Sequence, residues 1–179
     1  MTGPATSEGN LCLECGLCCG DSMYSQINLG EGDRERLVRS GYPADLTNAT
    51  SIPLPCPMLS GTSCTIYADR PGKCAAYRCE VLKGVDAGAI SFTTALERVR
   101  EAKQLLAKAR EGMPEGVSLA QVRARANPAA AGGQPLDRAG SAALFAYYAY
   151  ARFMDRHFRR PDKWLVSPSP EVRPDESAA

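Results

Sequence analysis

Histidine is almost missing from this chain, and the only one, His157, lies far beyond the last cysteine, Cys79. Near the cysteines the available soft ligands are therefore all sulfur. Long apolar runs are missing too, since none approaches the length that spans a bilayer. Met1 to Asn10 has neither a basic n-region nor an apolar h-region, so no signal peptide is expected. A soluble, cytoplasmic protein whose thiols stay reduced is the expectation. Charge of one sign is lacking as well. The 21 basic and 20 acidic side chains leave a formal charge of +1, which gives no electrostatic case for nucleic acid or an anionic membrane. Residues 1–90 hold 7 basic and 10 acidic groups and residues 91–179 hold 14 and 10, an asymmetry too small to name a partner. There is no phosphate loop, no nucleophile elbow, no carboxylate pair with a base and no internal repeat. An enzyme is therefore the weakest reading.

What the chain has is cysteine. Eight fall between positions 12 and 79, and none in the last hundred residues. At 179 residues the chain is one domain, or one with a small appendage, and can bury a core without disulfide staples. In a reducing compartment such clustering favours metal over disulfides. Cys12-x2-Cys15-x2-Cys18 brings sulfurs to one side of a tight loop, and Gly16 and Gly20 suit that loop because glycine takes positive φ at little cost. Soft thiolates select zinc, an iron–sulfur cluster or copper(I). Eight thiolates are twice what one tetrahedral zinc or one cubane cluster takes, so two four-coordinate sites or one binuclear site is expected.

Spacing leaves the metal open. The first three cysteines and the Cys56-Pro57 pair are ferredoxin-like, but Cys19 directly follows Cys18, and the later spacings form no second ferredoxin loop. Zinc tolerates such irregularity. A disulfide between Cys18 and Cys19 would be strained, and in extended chain the two point to different sides, so one can serve each of two sites or one can stay free. Arg70, Lys73, Arg78 and Lys83 interleave with the last cysteines, either as counter-charge or as an ordinary solvated turn.

The series Cys12-x2-Cys15-x2-Cys18-Cys19, Cys56-Pro-Met-Leu and Cys64-Thr-Ile-Tyr67-Ala-Asp-Arg70-Pro71-x2-Cys74-x2-Tyr77-x-Cys79 resembles the CxxCxxCC family of YkgJ-like cysteine-cluster proteins. The resemblance covers roughly residues 12–83 and implies chelation of zinc or iron through Cys12, Cys15, Cys18, Cys19, Cys56, Cys64, Cys74 and Cys79. A similar pattern in flagellin lysine methylases keeps a protein-modifying enzyme as an alternative, beside an iron–sulfur redox protein.

The expected fold is mainly α with short extended or irregular pieces. Residues 1–10 are expected to be disordered, 11–90 to form a metal-nucleated cysteine segment, 91–166 to pack on it as helices, and 167–179 to be a disordered tail. Within the first part, residues 24–29 suggest a strand and Asp33 an N-cap for a helix burying Leu37 and Val38. Residues 45–63 suggest loop, and 73–82 one or two helical turns. Thr94-x2-Glu97 is a capping-box pattern for a helix whose inner face is Leu96, Val99, Ala102, Leu106, Ala109 and Met113. A short helix at 118–126 and a linker at 127–135 follow. The last helix, about 138–159, carries Leu144, Phe145, Tyr147, Tyr148, Ala151, Phe153, Met154 and Phe158. That stripe is expected to be core, or a protein-binding face if exposed. Tyr67 and Tyr77 are expected to pack around the site, and His157 to sit on the surface at a helix C-terminus.

Overall fold

The structure is a computed structural model that describes residues 7–43, 45, 50–113, 119, 121–122 and 138–163. It is mainly α, as the pattern implies. Helix α1 (Ser7–Cys15) is followed by strand β1 (Gln26–Asn28), α2 (Asp33–Arg39), and the short strands β2 (Ser51–Pro53), β3 (Leu59–Ser60) and β4 (Ser63–Cys64). After a 3-10 turn at Tyr67–Asp69 come α3 (Gly72–Ala76), α4 (Glu80–Asp86), α5 (Phe92–Glu111) and α6 (Arg138–His157). β1 pairs antiparallel with β2, Ile27 opposite Ile52, and β3 with β4, Leu59 opposite Cys64. No described helix is long and apolar enough to cross a membrane.

The two long helices form the frame. α5 starts at Phe92 because the Ser91 hydroxyl accepts the Thr94 N–H (3.1 Å), three residues ahead of the expected cap. Its inner face is Ala95, Val99, Ala102, Leu106 and Ala109, all buried, with Leu96 and Met113 half-buried beside them. α6 packs along α5 through Ala143, Tyr147, Tyr150, Ala151 and Met154. Small residues permit the approach: a Cβ on Gly112 would lie 3.4 Å from the Cα of Ala143. Phe145 is 76% exposed, so the aromatic stripe is split, one side core and one side facing out. A helix has room for one buried face, and Tyr147, Tyr150 and Met154 occupy it.

The described residues form two cores. The larger joins α5 and α6 to Leu11, Leu17, Met23, Val81 and Leu82, so α1 and α4 close over the helical pair. The smaller holds Leu37, Tyr42, Ile52 and Ile66. Several expectations change here. Ser7–Asn10 belong to α1, and Cys12 and Cys15 stand on that helix rather than in a loop. Asp33 is the first helical residue and not the cap, and Val38 faces solvent at 54% exposure because α2 buries only the side carrying Leu37. Residues 45–63 contain β2 and β3, whose two- and three-residue lengths leave no periodicity to read. The linker, most of the short helix at 118–126 and the tail lie outside the described residues.

Candidate metal centre

α1 puts Cys12 and Cys15 one turn apart on the same side. It stops at Gly16, whose φ of 68° is a left-handed conformation that glycine alone takes freely. The Gly16 carbonyl then accepts the N–H groups of Cys19 (3.1 Å) and Gly20 (3.0 Å), and this turn presents Cys18 and Cys19. A Cβ on Gly16 would lie 3.1 Å from the Cα of Thr62, so its absence lets the β3–β4 hairpin, with Cys64, come up against the turn. Gly20 takes no positive φ and has no such role. The Cys56 N–H donates to the Cys19 carbonyl (2.9 Å), tying the second segment to the first.

α3 carries Cys74. Asp33, 2% exposed, accepts the Gly72 N–H through one oxygen and the Gly30 N–H through the other, both at 2.8 Å. That carboxylate fixes the start of α3 against α2. Cys79 caps α4, its sulfur accepting the Leu82 N–H at 3.4 Å. The neighbouring Glu80 N–H donates to the Phe158 carbonyl at 3.1 Å, so the helical half holds the backbone beside this cysteine.

All eight cysteines line one cavity of about 400 Å³. Apolar side chains such as Leu17, Ile66, Leu82 and Phe158 wall it, and Tyr24, Tyr67, Tyr77, Arg70, Lys73 and Arg78 complete the lining. Every thiol is free. Cys18 Sγ and Cys19 Sγ are 4.0 Å apart. Among the described residues, no three His, Cys, Asp or Glu side chains are already grouped tightly enough to hold a single metal ion. The sulfurs surround a common space rather than meeting at a point.

Burial pushes most of the thiols up: Cys12, Cys56, Cys64 and Cys79 are raised, and Cys15 and Cys74 reach about 12. Cys18 is pushed up first by its contact with Cys19 and then by burial. The same contact holds Cys19 down at about 7, helped by Arg70. Metal binding must therefore displace protons, with help from fixed donors. Backbone N–H groups supply that help: Leu82 donates to the Cys79 sulfur at 3.4 Å, and the backbone at Leu17, Met58 and Ile66 draws Cys15, Cys56 and Cys64 down against burial. Such bonds orient a ligating sulfur and favour its charged form. The donor set, its backbone N–H neighbours and the cavity they share fit a thiolate-bound metal group.

The interleaved cations divide. Arg70 lowers Cys12, Cys19, Cys64 and Cys74, and its guanidinium stacks 3.9 Å over the Tyr67 ring. Lys83 pairs with Glu80 on the surface and does not line the cavity. Tyr77 packs edge-on to Tyr24 with centroids 5.6 Å apart. His157 does not line the cavity; it is half-buried against Phe153, and burial first, then Arg98 and Arg156, push its pKa down. The sequence pattern does not mark Asp33, Tyr24 or Tyr42 as parts of the site. Asp33 has the look of a cap, and nothing local distinguishes the two tyrosines.

No curated protein and no solved structure matches the chain. A family model does: CxxCxxCC, "Putative zinc- or iron-chelating domain", over residues 11–104, the stretch that contains every cysteine and the helices α2 to α4. With that match over more than half of its length, and eight free thiols around one cavity, the chain belongs to the CxxCxxCC family.

Proposed function

We propose that the cavity holds iron–sulfur chemistry and that the protein is a cytoplasmic redox protein. The observation that supports this is the spread of the thiols. Four thiolates on one zinc lie about 3.8 Å apart, given a Zn–S bond of about 2.3 Å in a tetrahedron. Here the eight cysteines line about 400 Å³, and no described trio is grouped for a single ion. A cluster has volume of its own and holds its thiolates further apart. When bound it would supply one-electron transfer at a potential set by hydrogen bonds and burial. Cys12, Cys15, Cys18, Cys19, Cys56, Cys64, Cys74 and Cys79 would supply the ligands, twice what one cubane cluster takes, and the backbone N–H groups above would offset the charge.

Metal binding would also order the first half of the chain, where the strands are two or three residues long. A protein-modifying enzyme is less favoured, because no carboxylate or imidazole is among the described residues lining the cavity. Anaerobic purification with iron, zinc and acid-labile sulfide analysis and an absorption spectrum tests the reading. Iron with matching sulfide is the expected result. Zinc near two per chain without sulfide would replace it with paired structural zinc sites.

A further inference from the structure

The eight cysteines are not evenly distributed around their cavity. Cys12, Cys15, Cys18 and Cys79 pack against the large core of α1, α4, α5 and α6, whereas Cys56 and Cys64 pack against the small core of Leu37, Tyr42, Ile52 and Ile66. Backbone contacts place the remaining two. The Cys19 carbonyl accepts the Cys56 N–H at 2.9 Å, which ties Cys19 to the small-core side, while its sulfur lies 4.0 Å from that of Cys18. Cys74 rides on α3, whose Gly72 N–H is held at 2.8 Å by Asp33 of α2, the helix that puts Leu37 into the small core.

We propose that the thiols form two separate four-sulfur metal sites, Cys12, Cys15, Cys18 and Cys79 in one and Cys19, Cys56, Cys64 and Cys74 in the other. The Cys18–Cys19 peptide is the link between them. This division rests on the cavity's thiolates holding metal, though not on which metal. A second, independent observation marks the latter site. Tyr42 is 4% exposed, and its hydroxyl is buried with no hydrogen-bond partner among the described residues, an arrangement that costs free energy unless a partner arrives. Cys56 and Cys64 pack against the same small core as its ring. A thiolate on a metal is the acceptor this hydroxyl lacks, so Tyr42 is a positioning residue for the second site alone.

The test uses the full chain purified anaerobically, with metal and acid-labile sulfide counted per chain. The variants Cys12→Ser, Cys79→Ser, Cys56→Ser and Cys74→Ser are each expected to retain about half of the wild-type metal. The same-set double C12S/C79S should stay at half, and the cross-set double C12S/C74S should lose nearly all. A same-set double that empties the protein, or a cross-set double that keeps half, overturns the division while leaving metal binding intact. Wild type with no metal overturns both. If a variant loses its helical circular dichroism, Cys15→Ser or Cys64→Ser replaces it within its set. Tyr42→Phe should keep full metal content but release metal to a chelator on the order of tenfold faster in the C12S/C79S background. In the C56S/C74S background the rate should not change; equal effects in both would remove Tyr42 from the second site.

Discussion

Asp33 offers the sharpest test of how the site is supported, because it fixes the start of the helix that carries Cys74. Its two carboxylate oxygens accept backbone N–H groups from Gly30 and Gly72, both at 2.8 Å, in a place only 2% exposed. A hydrogen bond to a charged acceptor contributes roughly 1.5–3 kcal/mol. Asp33→Ala removes two of them and strands two N–H groups, so a loss of about 3–5 kcal/mol is expected, against a total stability of about 5–15. Asp33→Asn keeps one acceptor oxygen and turns an NH2 toward the other donor, so it should fall between Ala and wild type. The assay is urea denaturation of the anaerobic holoprotein, with the midpoint falling and the slope unchanged. Because Gly72 opens the helix carrying Cys74, metal should also leave faster from the site that uses Cys74. A loss below about 1 kcal/mol for Asp33→Ala would refute the strut.

Other outcomes follow from single positions. Gly16→Ala must adopt a φ of 68° and press a Cβ to 3.1 Å from the Thr62 backbone; it should cost about 1–2 kcal/mol or more by the same denaturation assay. Met154→Ala, at a position 0% exposed, should cost about 2–5 kcal/mol. Phe145→Ala, at 76% exposure, should stay within about 0.5 kcal/mol, and the contrast reads which face of α6 is buried. The metal-free reduced protein should lose stability in alkali. Folded Cys15 and Cys74 titrate near 12 rather than their ordinary 9.0, so this stability is whole below pH 9 and drains as pH rises toward 12. Thermal melts of metal-free protein between pH 8 and 11 would show a falling midpoint.

The candidate thiols are legible in the residues alone, because eight clustered cysteines without histidine admit few chemistries. Their grouping is not. Cys79 joins Cys12 and Cys15 only because α4 and α1 close over the same helical pair, a contact between segments far apart in the chain. The long helices are readable from periodicity, yet α5 is capped by Ser91 rather than Thr94, since either can cap and tertiary context decides. Val38 follows Leu37 on a seven-residue helix, too short for periodicity to tell the inner face from the outer. Tyr42 sits between Gly41 and Pro43, and only the fold shows that its ring enters a core beside Cys56 and Cys64.

The hydrogen bond from the Glu80 N–H to the Phe158 carbonyl has a practical consequence. It moors the backbone beside Cys79 to a residue beyond position 104, where the family match stops. A fragment trimmed to 11–104 would carry every cysteine but lose this mooring and the aromatic wall that Phe158 provides. The cysteine half and the helical half should therefore melt as one cooperative unit, and a minimal chelating domain cut at the match boundary would be a broken cup.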